Sequence, residues 1–125
     1  MSEIPKKDVV LIVDDSASMR DMVGVTLKVA GFDFETKTDG SEALEYAREN
    51  QVMAVLTDVN MPNMDGITLV RELRELPHYR FTPILVLTTE SSEESKSRGK
   101  DAGATGWIVK PFDPDNLIKV IKRVI

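Results

Sequence analysis

The chain has 125 residues and a mass of 13.9 kDa, enough for one ordinary hydrophobic core and little more. With 16 basic against 21 acidic side chains its net charge is −5, which argues against a protein built to grip nucleic-acid phosphates. It contains no cysteine and one histidine, His78, so disulfides, thiolate zinc sites, thiol nucleophiles and paired-imidazole sites are excluded. Any metal would have to be held by oxygen. Apolar runs such as Val9 to Val13 are too short for a membrane span, and the first residues, MSEIPKK, are polar; a cytoplasmic protein with no membrane contact is expected.

Val9 to Val13 is a continuous aliphatic run, as expected of a strand covered on both faces in a parallel sheet, and it stops at Asp14-Asp15. Ser16 can cap a helix carrying Met19, Met22, Val23 and Leu27 at helical spacing, with Gly31 as its left-handed stop. Phe32 to Glu35 alternates as a shorter, half-covered strand. Asp39-Gly40-Ser41 then turns into a helix with Ala43, Leu44 and Ala47 on one face. The strand Met53 to Thr57 runs directly into Asp58.

After the Pro62 to Gly66 loop, the spacing of Ile67, Val70, Leu73 and Arg74 predicts a third helix that ends before Pro77. Pro83 to Leu87 reads as a fourth strand stopping at Thr88-Thr89. Glu90 to Asp101 is polar almost all round, the pattern of a solvated or partner-facing helix that Gly99 should loosen. Gly106 to Val109 is a fifth strand ending at Lys110-Pro111, and Pro114 opens a last helix with Leu117, Ile118, Ile121 and Val124. Five strands alternating with five helices predict a single α/β domain over 1–125, with a doubly wound parallel sheet and helices on both faces.

Ligands of such sheets bind outside the carboxyl ends of the strands. Those ends carry Asp14 and Asp15, Asp58, Thr88 and Lys110. If the first and third strands are neighbours, three carboxylates converge, and their charge is balanced by one hard divalent cation such as Mg²⁺ together with Lys110. That set would accept a dianionic phosphoryl group, with Asp58, alone on its strand end, as the nucleophile that forms an aspartyl phosphate.

The segments VLIVDDS, LTDVNMPNMDG, PILVLTTE and AGATGWIVKPF, in that order, resemble the receiver domain of two-component response regulators, and within it stand-alone chemotaxis regulators of the CheY type. The resemblance covers nearly the whole chain. It implies a flavodoxin-like five-stranded sheet of order 2-1-3-4-5 and phosphorylation of Asp58 by a histidine kinase. Asp15, Asp58 and the Asn60 carbonyl would ligate Mg²⁺, with Asp14 acting through water. Lys110, before a cis bond to Pro111, would pair with the phosphoryl group, and Thr88 would hydrogen-bond it and swing inward. Trp107 stands at the switch-aromatic position, usually Tyr or Phe, and Asn60 and Glu90 at positions that tune dephosphorylation.

The resemblance further implies that the signal leaves through the face made by the fourth helix, fifth strand and fifth helix, toward a downstream protein. With no effector domain in view, the chain is expected to be a monomeric switch and neither an enzyme nor a nucleic-acid binder. Trp107 exceeds the usual ring in size, which should make an inward pose costly. Thr89 stands where a smaller Ala is common. A haloacid-dehalogenase-like phosphatase is the alternative; it would need a DxDxT motif after the first strand, where this chain has Asp14-Asp15-Ser16. A flavin- or nucleotide-binding module would need an amide-rich phosphate cradle where the two aspartates stand. His78 is expected at the surface without a role, and the methionines at 19, 22, 53, 61 and 64 as packing.

Overall fold

The computed structural model describes residues 4–125. The chain order is β1 (Val9–Val13), α1 (Ala17–Val29), β2 (Asp33–Lys37), α2 (Gly40–Glu49), β3 (Ala54–Thr57), α3 (Gly66–Glu75), a short 3₁₀ turn (Pro77–Tyr79), β4 (Ile84–Thr88), α4 (Glu93–Ala102), β5 (Gly106–Val109) and α5 (Pro114–Val124). All strand pairs are parallel, and the sheet order is β2-β1-β3-β4-β5. This is the flavodoxin-like arrangement that the resemblance implies.

The central strands β1, β3 and β4 are almost wholly buried, because side chains alternate across the sheet and both faces are covered. Leu11, Val13, Val55, Ile84 and Val86 point into one layer with Ala43 and Ala47 of α2 and Ile67, Val70 and Leu73 of α3. Val10, Ile12, Leu56, Leu85 and Leu87 point into the other with Val23 and Leu27 of α1 and Leu117 and Ile121 of α5. Each fully buried Leu or Ile contributes roughly 2–3 kcal/mol. Two such layers hold the strand ends rigidly.

Four details differ from the sequence reading. The second strand begins one residue later than expected and runs to Lys37, because pairing with β1 from Val9↔Asp33 to Val13↔Lys37 sets its extent; Phe32 instead closes the preceding turn with a hydrogen bond to the Leu27 carbonyl (2.9 Å). Met22 is 54% exposed, so the inner stripe of α1 is buried Val23 and Leu27 with half-buried Met19 packed against the same layer. The third and fourth strands start at Ala54 and Ile84, while Met53 and Pro83 still join the ladder through one backbone bond each. His78 is half-buried, with Nε2 2.6 Å from the Ala47 carbonyl oxygen near the end of α2.

The helix ends follow their expected chemistry. Ser16, Asp39, Asp65, Ser92 and Asp113 cap α1 to α5, each side chain accepting a first-turn amide. Gly31 has a positive φ of 92°, as its stop position requires. Among the described residues no helix is long and apolar enough to cross a membrane.

Candidate phosphoacceptor site

The sheet order reverses between β1 and β3, and the loops leaving these strands part there, opening a crevice at their carboxyl ends. Asp14 and Asp15 leave β1, and Asp58 leaves β3 beside them. One carboxylate oxygen from each lies within 4.8 Å of the others. Asp14 is buried, Asp58 half-buried and Asp15 exposed, so the cluster has a dry floor and an open mouth.

The floor is wired by hydrogen bonds. Asp14 Oδ1 accepts the Ser16 amide (2.9 Å) and Asp58 Oδ1 the Val59 amide (2.6 Å). Lys110 Nζ, on a side chain only 9% exposed, donates to Asp14 Oδ2 (2.8 Å) and Asp58 Oδ2 (3.2 Å). Burial alone would lower the Lys110 pKa; the hydrogen bond to Asp14 and the charges of Asp58 and Asp14 outweigh it and hold the ammonium above its ordinary 10.5. Asp15 has no cationic partner among the described residues. Three carboxylates facing one ammonium leave an excess of negative charge in an all-oxygen donor set, which suits a hard divalent cation of the Mg²⁺ kind.

Asp58 is placed by its neighbours. Its amide donates to the Val13 carbonyl, continuing the β1–β3 ladder past the last paired residues, and its own carbonyl accepts the Thr57 hydroxyl (2.9 Å). Gly66, at the start of α3, lies so close that a Cβ there would overlap the Asp58 carbonyl oxygen. The loop between β3 and α3, which carries exposed Asn60, is tied to the start of α2 by Asn63 Nδ2 to Asp39 Oδ2 (2.8 Å) and by the Gly40 amide to the Met64 carbonyl (3.3 Å). The Lys110–Pro111 bond is cis.

Thr88 is fully buried at the end of β4, and its Oγ1 accepts the Glu90 amide (3.2 Å). Trp107 is half-buried on β5 and donates Nε1–H to the Glu90 carbonyl (2.9 Å). The Glu90 carboxylate accepts hydroxyls of Ser92 and Ser95. Thus Asp14, Asp15, Asp58 and Lys110 form one cluster, while Thr88, Glu90 and Trp107 form a second, connected chain of contacts. Thr89 is exposed. Sequence reasoning missed Arg20, whose Nη1 donates to the Asp14 carbonyl (2.8 Å), and the part played by Gly66. The NMDG run was the available signal for Gly66; Arg20 left none, because it acts on a backbone atom.

Comparison with known proteins agrees with this fold. The family profile of the response regulator receiver domain matches residues 10–122. Chemotaxis response regulator CheY4 of Vibrio cholerae superposes with a TM-score of 0.87 at 50% identity, covering 98% of this chain and all of that one. The receiver domain of sensor histidine kinase PA1611 from Pseudomonas aeruginosa, whose structure has a magnesium ion in its active-site cleft, superposes with a TM-score of 0.88 at 26% identity, covering 94% and 96% of the two chains. Transcriptional regulatory protein SrrA of Staphylococcus aureus is 35% identical over 116 residues, 93% of this chain; the chain spans 47% of its length. The haloacid-dehalogenase alternative finds no support in these matches. The chain belongs to the response regulator receiver domains of two-component signalling systems.

Proposed function

We propose that residues 1–125 act as a single phosphoacceptor switch in which Asp58 takes a phosphoryl group from a phosphohistidine of a histidine kinase. The observation that carries this reading is the Lys110 ammonium bound to both Asp14 and Asp58 on the floor of a three-carboxylate cluster. An Asp58 carboxylate oxygen attacks phosphorus as the P–N bond breaks. The electron pair of that bond leaves with the imidazole, which takes up a proton, and Asp58 becomes an acyl phosphate. The Val59 amide holds the carboxylate's orientation, which keeps the attacking oxygen in line.

Lys110 stays charged throughout, since both carboxylates favour its ammonium, and it turns from Asp58 to the new phosphoryl oxygens. Asp15, Asp58 and the Asn60 carbonyl would hold Mg²⁺, with Asp14 acting through water. When bound, Mg²⁺ neutralises the carboxylates and screens the incoming oxygens. Thr88 exchanges its acceptor contact with Glu90 for a donor contact to the phosphoryl group. Asn60 and Glu90, flanking the site, tune how water reaches it.

The partner face is α4, β5 and α5, where Trp107 and the polar α4 lie. The 50% identity to a chemotaxis regulator supports chemotaxis as the pathway and a protein, not a nucleic acid, as the target. The switch works in the cytoplasm as a monomer. Incubation with acetyl phosphate and Mg²⁺ tests this reading by intact mass. The expected result is one base-labile phosphoryl group, absent without Mg²⁺ and absent in Asp58→Asn. A folded sample that gains no such mass overturns it.

A further inference from the structure

Helix α4 is polar and mostly exposed, yet it carries a glycine at position 99, buried on its inner face. Glycine is the least favourable residue after proline in a helix interior, so its presence in an already weak helix needs a reason. The reason is the Trp107 ring. A Cβ on Gly99 would stand 2.6 Å from Cζ3 and 2.9 Å from Cε3 of the indole, closer than side-chain atoms approach one another. The missing methyl makes a notch in α4, and the six-membered ring fills it.

The polar edge of the same indole is also fixed. Nε1–H donates to the Glu90 carbonyl, the Glu90 amide donates to Thr88 Oγ1, and the Glu90 carboxylate accepts the hydroxyl of Ser92, the cap of α4. Trp107 therefore touches α4 at the end of its second turn through Gly99 and reaches the segment before its first turn through Glu90. One side chain on β5 thus holds both the approach to α4 and its middle, in a helix that has few apolar contacts of its own, Gly99 and Ala102 being its buried residues.

We infer that Gly99 is a positioning residue for Trp107, a seat that keys the oversized switch ring to α4 so that the ring cannot turn without α4 shifting. The seat belongs to the unphosphorylated chain. Its use in signalling rests on the proposed phosphorylation of Asp58: when the Thr88 hydroxyl leaves Glu90, the residue that anchors the indole loses its own anchor, and α4 is released with the ring.

The test is Gly99→Ala. If position 99 were merely tolerated, alanine would strengthen the helix and raise the melting temperature. A seat predicts the reverse: a lower melting temperature, tryptophan emission shifted to longer wavelength, and faster acrylamide quenching of the only Trp. In a Trp107→Ala background, or Trp107→Leu should that variant fail to fold, the same Gly99→Ala change should raise the melting temperature. A rise in both backgrounds, with emission unchanged, overturns the seat.

The signalling half is read separately. Gly99→Ala should gain the phosphoryl mass from acetyl phosphate and Mg²⁺ as the parent does, yet lose most of the phosphorylation-dependent change in Trp emission. Retention of the full change would overturn the coupling. If the parent itself gains no mass, the phosphoacceptor reading fails, while the melting-temperature comparison still decides the seat.

Discussion

Lys110 Nζ lies 2.8 Å from Asp14 Oδ2, a contact between residues 96 positions apart that the sheet creates by setting the ends of β1 and β5 on either side of β3 and β4. The same ammonium serves Asp58 at 3.2 Å, so one cation offsets two carboxylates. Replacing it with Met removes the partner of two poorly hydrated charges. Lys110→Met should lose about 2 kcal/mol in denaturant titrations near neutral pH, a value reduced from that of a fully buried pair because Asp58 opens to solvent. Because the folded-state pKa of Lys110 is raised, its contribution is complete below 10.5 and is lost as pH rises through the folded value. The gap between variant and parent should be flat at neutral pH and close as pH rises well above 10.5. A gap that persists unchanged through that alkaline range would contradict the pairing.

Among the described residues Asp15 contributes repulsion without a cation of its own. Asp15→Asn should therefore stabilise the metal-free chain by about 1 kcal/mol once solvent screening is allowed for. In the parent, Mg²⁺ should raise the melting temperature and calcium-sized or monovalent ions should do so less. The Asn variant should show little response to Mg²⁺ at all. Thermal scans with EDTA and with Mg²⁺, run on both proteins, check both signs; an unchanged Mg²⁺ response in the variant excludes Asp15 as a ligand.

Arg74 is a structural clamp that owes nothing to the site. From α3 its guanidinium donates to the carbonyls of Gly103 (3.0 Å), Tyr79 (2.6 Å) and Thr82 (2.7 Å), joining the end of α4 and the turn before β4. Burial lowers its pKa, and no carboxylate is needed because backbone oxygens satisfy the charge. Arg74→Met leaves three carbonyls to find water and should cost about 2–3 kcal/mol by chemical denaturation. Arg74→Lys, with a point charge in place of the planar fork, should recover less than half. Phosphoryl uptake at Asp58 should survive in any folded fraction.

Tyr79 gives a second alkaline signature. Its side chain is fully buried, its hydroxyl donates to the Asn50 carbonyl at 2.6 Å, and burial pushes the phenol well above its ordinary 10. The unfolded chain ionises first, so this contribution is complete below 10 and falls away as pH rises above it. Tyr79→Phe should cost about 1 kcal/mol at neutral pH from the lost hydrogen bond. Its stability should then decline less steeply than the parent's above pH 10, so that the two curves converge. Parallel curves through that range would show that the phenol ionises in the folded state as it does in the unfolded one.

What could be read in advance depended on how local the governing physics was. Val9 to Val13 and Ile84 to Leu87 announce buried strands because continuous aliphatic runs have few other stable uses, and Ser16, Asp39 and Pro114 announce helix starts because the chemistry of a helix's first turn is local. The end of β2 and the exposure of Met22 were not legible, since strand register and the width of a buried helix stripe are decided by the neighbour. His78 looked idle because the Ala47 carbonyl that meets it lies on another helix.

The sequence by itself determined the alternation of strands and helices and the polar residue at each strand end, and the order of its motifs pointed to the family. Tertiary structure alone decided that Lys110 bridges Asp14 and Asp58, that Arg74 ties three segments through backbone oxygens, and that Gly99 receives Trp107. Lys110 and Asp14 lie 96 positions apart, and the other contacts, though closer in sequence, join separate elements whose packing alone brings the atoms together. Local propensity, by which Gly99 reads only as a weak point in a helix, carries no information about a ring arriving from another strand.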